Sequence, residues 1–174
     1  MTDVKLLWAA WPTAWGPMGA VAGAAGLERI QLPHYAMKDV RDLLAFEHPR
    51  AVEDAAALAK LIERTTAYFN GQSVGFADIA CNLPPESSFT GKVLRACRTI
   101  PYGQVKSYTW LAKAAGNPDG ARAAATAMSK NRLPLVIPCH RVVYAGGKLG
   151  GFSAPGGCQL KRRLQEHEKK HVNS

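Results

Sequence analysis

Short apolar stretches interrupted by turn-forming residues fill the beginning of the chain. Residues 4–11 and 18–32 are mainly small and apolar, and glycine, proline or threonine cluster at 13–17 and 23–26. Apolar runs of this length, bounded by such residues, are typical of β-strands. The pattern predicts short antiparallel strands joined by tight turns.

Two later segments have their apolar positions at helical spacing. Residues 37–46 are predicted to form a short helix and residues 53–70 a longer one. Acidic residues at 53–54 favour the start of the longer helix, and the Asn-Gly pair at 70–71 favours its end. Its buried face is predicted to consist of Leu58, Leu61, Ile62, Thr65 and Phe69.

The second half of the chain is predicted to be mainly helical. Residues 89–98 are amphipathic, and Ser107 can cap a helix over 108–115. The Asn-Pro pair that opens 117–130 predicts a further helix, because proline suits a first helical turn. A last helix is predicted over 159–170.

The helices predicted over 108–115 and 117–130 form a helix-turn-helix candidate. They are joined by a short glycine-containing turn in a basic part of the chain, although an ordinary helical hairpin has the same pattern. Alanines would let the second helix approach DNA closely but offer few donors to bases, so weak sequence preference is expected. These alanines are Ala121, Ala123, Ala124, Ala125 and Ala127.

A segment rich in proline and serine, residues 82–88, predicts a domain boundary. We expect an α+β protein with two domains. Residues 1–86 would form a small supporting domain of sheet and helices. Residues 87–174 would form a mainly helical domain with a winged-helix-like helix-turn-helix and an active-site loop.

Charge divides the chain at the same place. Residues 1–86 contain 7 Lys and Arg and 10 Asp and Glu, a net charge of −3, whereas residues 87–174 contain 15 and 3, a net charge of +12. A basic C-terminal half suggests contact with a polyanion, and a merely basic soluble surface is the alternative.

Several protein classes are excluded by composition. No apolar run approaches the roughly 20 residues of a membrane helix, and the first ten residues do not resemble a secretory signal. The four cysteines, at 81, 97, 139 and 158, form no Cys-x-x-Cys pair and lie near no close histidine pair, so neither a metal site nor a disulfide framework is expected. We expect an intracellular protein.

The segment from Leu133 to Val143 carries the candidate chemistry. A proline-broken apolar run precedes Cys139, His140 and Arg141, and two valines follow. Polar and reactive groups between apolar runs are costly to bury unless they are used. Six of the twelve residues from 146 to 157 are glycine, which predicts a close-fitting loop.

The motif Pro138-Cys-His-Arg-Val142 resembles the alkylguanine-DNA alkyltransferases, also called methylated-DNA–protein-cysteine methyltransferases. The resemblance extends over roughly residues 89–170. Its further motifs are Pro101-Tyr-Gly-Gln-Val, Ser107-Tyr108, Ala115-Gly-Asn-Pro118, Ala121-Arg122-Ala123, Asn131 and His167-Glu168.

The resemblance implies a role for each matching residue. Cys139 is the alkyl acceptor, His140 takes its proton through a water, and Glu168 orients that histidine. Tyr108 donates to the departing base, Arg122 fills the gap left by the flipped nucleotide, and Asn131 is a hinge. Further expected DNA contacts are Ser107, Ala121, Ala123, Lys130 and Arg132, and the expected base pocket comprises Met128, Val142, Phe152 and Ser153.

The implied reaction is DNA repair by direct reversal. An alkyl group passes from O-6 of guanine, with O-4 of thymine as a further candidate, to Cys139 once per molecule. The expected partner is double-stranded DNA with an alkylated guanine, bound by a monomer without cofactor or metal, in the cytoplasm or a eukaryotic nucleus. The alternative is a protein that binds such lesions without efficient transfer. The basic helix pair and the adjacency of Cys and His argue against a cysteine hydrolase, and a transcription regulator would leave the Cys-His segment unexplained.

The sequence also departs from the family. Ala123-Ala124-Ala125 follows Arg122 where Val-Gly is common, Arg132 replaces a frequent proline, and Phe152 replaces a pocket tyrosine. The loop before the last helix is about two residues longer than in other members of the family. This difference shifts the alignment that matches Glu168 to the family's orienting acid.

Overall fold

The computed structural model describes residues 5–174, and this part of the chain divides into two compact units that meet between Asn82 and Leu83. The α+β architecture expected from the sequence is confirmed. The assignment of separate domains to 1–86 and 87–174 stays a prediction.

A four-stranded sheet forms the centre of the N-terminal unit. Strands β1 (Leu7–Trp11), β2 (Met18–Gly23) and β3 (Gly26–Gln31) are antiparallel neighbours, as the turn pattern predicted. The predicted first strand began at Val4, which lies outside the described residues. The two-residue strand β4 (Val52–Glu53) pairs parallel to β1, giving the order β3-β2-β1-β4.

Helix α1 (Met37–Glu47) packs on this sheet, and the helix predicted there is confirmed. Val40 and Leu44 of α1 form a buried cluster with Trp8 and Val21 of the sheet. Glycine at position 19 permits the close approach, because a Cβ there would lie 2.6 Å from Leu44 Cδ1.

The second helix of this unit, α2 (Ala59–Phe69), starts later than predicted. The predicted start at Glu53 is wrong, because Glu53 belongs to β4. Asp54 instead accepts a hydrogen bond from the backbone N–H of Ala57, which belongs to a 3₁₀ turn over Ala56–Leu58. The predicted end is confirmed, with Asn70 as the C-cap.

Three helices open the C-terminal unit: α3 (Phe89–Arg98), α4 (Tyr108–Ala114) and α5 (Ala121–Ser129). The Ser107 hydroxyl accepts from the backbone N–H of Trp110, so the predicted cap of α4 is confirmed. Gly116 ends α4 at a φ of 87°, with the paired backbone hydrogen bonds of a Schellman motif. Helix α3 packs on both α4 and α5, which form the helix-turn-helix.

The predicted start of α5 is wrong. Residues Asn117 to Gly120 form a turn in which the Gly120 N–H donates to the Asn117 carbonyl, and Gly120 is the N-cap. The Asn117 side chain packs against Gly120, where a Cβ would lie 2.6 Å from its Nδ2. The Asn-Pro pair therefore shapes the turn and not the helix.

The rest of the C-terminal unit positions the Cys-His-Arg segment. Cys139–Arg141 is a 3₁₀ turn, followed by β6 (Val142–Val143), which pairs parallel to β5 (Lys106–Ser107). Helix α6 (Gly157–His171) closes the chain and begins two residues before the predicted start. Within residues 5–174 no helix is both long and apolar enough to cross a membrane.

Candidate active site

Cys139 lies at the start of the 3₁₀ turn and is only 6% exposed. Asn131 fixes the loop that leads to it: its Nδ2 donates to the Ile137 carbonyl at 2.9 Å, and its Oδ1 accepts from the Leu133 N–H at 3.0 Å. Asn131 thereby closes residues 131–137 into a compact turn that ends beside the thiol.

The environment of Cys139 favours a protonated resting thiol. Burial raises the pKa of Cys139 above its usual value, opposed by a hydrogen bond from Asn131 and by the positive charge of Lys161. Only the thiolate is a strong nucleophile, so reaction at this sulfur requires a base that takes its proton.

His140, Arg141 and Glu168 form a buried network next to Cys139. His140 Nε2 lies 2.6 Å from Glu168 Oε1. Arg141 binds the same carboxylate with two donors, Nε to Oε2 at 2.8 Å and Nη2 to Oε1 at 2.9 Å, and a third donor reaches the Ile100 carbonyl. The Gly103 N–H completes the set at 3.1 Å from Oε2.

This network fixes the tautomer of His140. Burial alone would raise the pKa of Glu168, but His140 and Arg141 hold it well below its usual range, so Glu168 is ionised. An ionised carboxylate requires a hydrogen on Nε2. Burial lowers the pKa of His140 more than Glu168 raises it, so the ring is neutral and Nδ1 carries the lone pair. Nδ1 is buried and has no hydrogen-bond partner in residues 5–174, so it is available as a proton acceptor.

Acid should destabilise the protein through His140. Because the pKa of His140 is lowered in the folded chain, its contribution is fully present above about pH 6.5, the unfolded value, and is lost as the pH falls below it. We expect the free energy of unfolding, measured with urea, to fall between pH 7 and pH 5. The His140 part cannot exceed about 1.4 kcal/mol per pH unit.

The His140→Gln variant is the matched control for this titration, because it keeps a polar group beside Glu168 that does not ionise. Its stability should depend less steeply on pH over the same range. An unchanged slope in the variant would show that His140 does not take up a proton on unfolding.

A cavity of about 320 Å³ opens onto Cys139. Of the predicted pocket residues, Met128, Phe152 and Ser153 line it, and Tyr108 joins them. Val142 does not line it but is fully buried in β6. The remaining lining residues are Ala125, Ser129, Tyr144 and Gly151.

Tyr108 remains a hydrogen-bond donor in this cavity. Burial raises its pKa to about 12, so the hydroxyl keeps its proton at neutral pH. Lys161 lies behind it, with Nζ 5.7 Å from the centre of the Tyr108 ring and 3.3 Å from the Gly151 carbonyl.

Sequence reasoning missed Lys161 and the part that Arg141 plays in the network. Lys161 is fully buried on the face of α6 that also carries Leu164 and Glu168. Its spacing of three and seven residues from them is helical and could have identified it. Arg141 was recognised only as a costly group between apolar runs.

The expected DNA contacts differ in accessibility. Arg122, Ala123, Lys130 and Arg132 are exposed on α5 and the turn after it. Ala121 is half-buried, and the Ser107 hydroxyl already caps α4. Within the described residues, no three His, Cys, Asp or Glu side chains are grouped as a metal site.

Comparison with known proteins agrees with this geometry. Residues 88–170 match the family model of the 6-O-methylguanine DNA methyltransferase DNA-binding domain. A methylated-DNA–protein-cysteine methyltransferase of Mycolicibacterium paratuberculosis is 41% identical over 119 residues, 68% of this chain and 70% of the relative. The human protein of that name is 45% identical over 84 residues, 48% of this chain and 40% of its own length.

Solved structures extend the likeness beyond the matched segment. The O6-methylguanine methyltransferase of Mycobacterium tuberculosis, 29% identical, aligns over 96% of this chain and 94% of its own with a TM-score of 0.76. The same organism's OGT in complex with DNA, 30% identical, aligns over 95% and 94% with a TM-score of 0.77. The chain belongs to the family of methylated-DNA–protein-cysteine methyltransferases.

Proposed function

We propose that this protein repairs alkylated DNA by moving the alkyl group from O-6 of guanine to the sulfur of Cys139. The observation that carries the proposal is a buried thiol that lines a cavity, next to a histidine whose free nitrogen is a base. Exposed cations on the helix-turn-helix supply contacts to the phosphate backbone.

The transfer begins with proton removal from Cys139. The thiol proton passes through a water to Nδ1 of His140, and the resulting imidazolium is stabilised by Glu168. The thiolate attacks the alkyl carbon, a carbon–sulfur bond forms, and the bond from that carbon to O-6 breaks. The guanine keeps the electron pair and is stabilised by a hydrogen bond from Tyr108.

The reaction ends with a thioether on Cys139. A carbon–sulfur bond of this kind has no good leaving group, so each molecule reacts once. The test is intact mass after incubation with DNA containing O6-methylguanine. One CH₂ should be gained per chain, on the peptide that contains Cys139; turnover beyond one equivalent would contradict the proposal.

The two parts of the chain would then have different functions. Residues 87–174 bind DNA and accept the alkyl group, which agrees with their net charge of +12, from 15 Lys and Arg and 3 Asp and Glu. Residues 1–86 support them. With DNA as the substrate, the compartment we propose is the cytoplasm, or the nucleus of a eukaryote.

Arg122 is proposed to occupy the gap left when the target nucleotide leaves the duplex. It lies exposed near the start of α5, on the second helix of the helix-turn-helix. The Arg122→Ala variant should transfer from duplex DNA about 10- to 100-fold more slowly, because nothing then offsets the few kcal/mol of unstacking. Transfer from free O6-benzylguanine should change much less.

Lys38→Ala is the charge-matched control, because Lys38 is an exposed cation of α1 in the N-terminal unit. It should leave both rates unchanged. Equal slowing of the duplex and free-base reactions by Arg122→Ala would remove the flipping role and place the arginine in the reaction itself.

A further inference from the structure

Three aromatic side chains line the cavity, those of Tyr108, Tyr144 and Phe152, and Tyr144 is the most exposed of them. It is 48% exposed, whereas Tyr108 is 6% exposed. The two rings are in contact, with centroids 4.9 Å apart and an angle of 51° between their planes. Tyr144 therefore presents to the cavity an aromatic surface that the protein itself does not cover.

A tight reversal of the chain fixes the backbone of Tyr144. Its N–H donates to the Lys148 carbonyl at 2.8 Å, and its carbonyl accepts from the Gly147 N–H at 3.0 Å. Gly146 and Gly147 have φ values of 82° and 83°, which glycine adopts readily.

The returning chain packs directly against the ring. At Gly150 a Cβ would lie 2.9 Å from Cε2 of Tyr144 and 3.4 Å from Cε2 of Tyr108. Gly150 and the Tyr108 ring therefore contact Tyr144 on one side, and these contacts position its ring at the cavity.

Tyr108 and Tyr144 can serve different purposes in the cavity. The ring of Tyr108 is in contact with Tyr144 and has the Lys161 ammonium near it, so its hydroxyl is the part best suited to a ligand. Tyr144 has the larger exposed area and can offer a ring face. Every nucleobase has a π-face, and stacking on an aromatic side chain is a common way to bind one.

We propose that Tyr144 is a specificity-determining residue whose exposed ring contacts the guanine in the cavity and strengthens its binding. This inference rests on the proposed function, because it takes an alkylated guanine as the ligand. Its effect is on binding of the base and is separate from the proton transfers at Cys139 and His140.

The test is the rate of alkyl transfer from free O6-benzylguanine as a function of its concentration. In Tyr144→Ala the half-saturating concentration should rise about 5- to 30-fold, within the range for loss of one base–aromatic contact. The limiting rate should change less than the half-saturating concentration. Tyr144→Phe, which keeps the ring, should restore binding.

Tyr144→Leu distinguishes stacking from simple filling of space, since leucine can still pack against Gly150. It should bind the base nearly as weakly as Tyr144→Ala while melting close to the wild-type temperature. Tyr35→Ala is the control, because Tyr35 is an exposed tyrosine in the N-terminal unit, at 38%. It should leave both kinetic constants unchanged.

If Tyr144→Ala or Tyr144→Leu had the same half-saturating concentration of O6-benzylguanine as the wild type, the inference would be overturned and the proposed function would stand. Loss of the limiting rate alone would also overturn it, since Tyr144 would then act through Tyr108. Absence of transfer in the wild-type chain would refute the proposed function and this inference with it.

Discussion

The Cys139→Ala variant should bind DNA containing O6-methylguanine and gain no mass. Cys139 is the cysteine that lines the cavity, and the neighbouring His140 presents a free lone pair. Alanine removes the sulfur and leaves both the exposed cations of the helix-turn-helix and the cavity in place. We therefore expect complete loss of transfer with DNA affinity retained, measured by intact mass and by a binding titration at fixed salt.

Cys158→Ala is the matched control, because Cys158 is exposed and hydrogen-bonded to the Gly150 carbonyl. This variant should still gain one methyl group. Cys97, which is buried, and Cys81, which is partly buried, should remain unmodified in peptide maps. Methylation of Cys139→Ala at another side chain would contradict the assignment of the acceptor.

Features that depend on local chemistry could be predicted from the sequence. The cap of α4 at Ser107, the glycine-containing turn after α4 and the amphipathic helix over residues 89–98 are set by neighbours within a few residues. Each is found in the structure because no distant contact competes with it.

Features that depend on residues distant in the sequence could not be predicted in this way. The strand β4 has only two residues, and its pairing is provided by β1, far away in sequence. Glu53 therefore joins a sheet although its charge favours a helix start. Similarly, the Cys139–His140 pair lies in a 3₁₀ turn, which the apolar pattern around it does not predict. The loop closed by the Asn131 hydrogen bonds leads into that turn, in which the Arg141 N–H donates to the Pro138 carbonyl.

The resemblance predicted the main residues of the candidate site and one contact between them, that of His140 with Glu168. The resemblance assigned Cys139, His140 and Glu168 despite a longer loop, and the contact of His140 with Glu168 agrees with that assignment. Nothing in the spacing indicated that Arg141 would bind the same carboxylate, because the two residues are brought together only by the packing of α6 against the 3₁₀ turn.

The contact between Arg141 and Glu168 makes this ion pair a stability determinant as well as part of the site. Both groups are almost fully buried, and each oxygen of Glu168 accepts from the guanidinium. Removing one partner of a buried pair leaves the other charge without compensation, which costs about 3–5 kcal/mol. Arg141→Leu should therefore lower the free energy of unfolding by about this amount, measured with urea at pH 7.

The double variant Arg141→Leu, Glu168→Leu separates the charge from the packing. With both charges gone, no unpaired charge remains in the interior. His140, Gly103 and Ile100 each lose one hydrogen-bond partner, but the combined loss of stability should still be smaller than the sum of the two single losses. Alkyl transfer should nevertheless be slow in all three variants, because His140 loses the carboxylate that fixes its tautomer, or the arginine that holds that carboxylate in place. Strictly additive losses of stability would show that the two side chains do not interact. Full activity in Glu168→Leu would show that His140 can act as the base without Glu168.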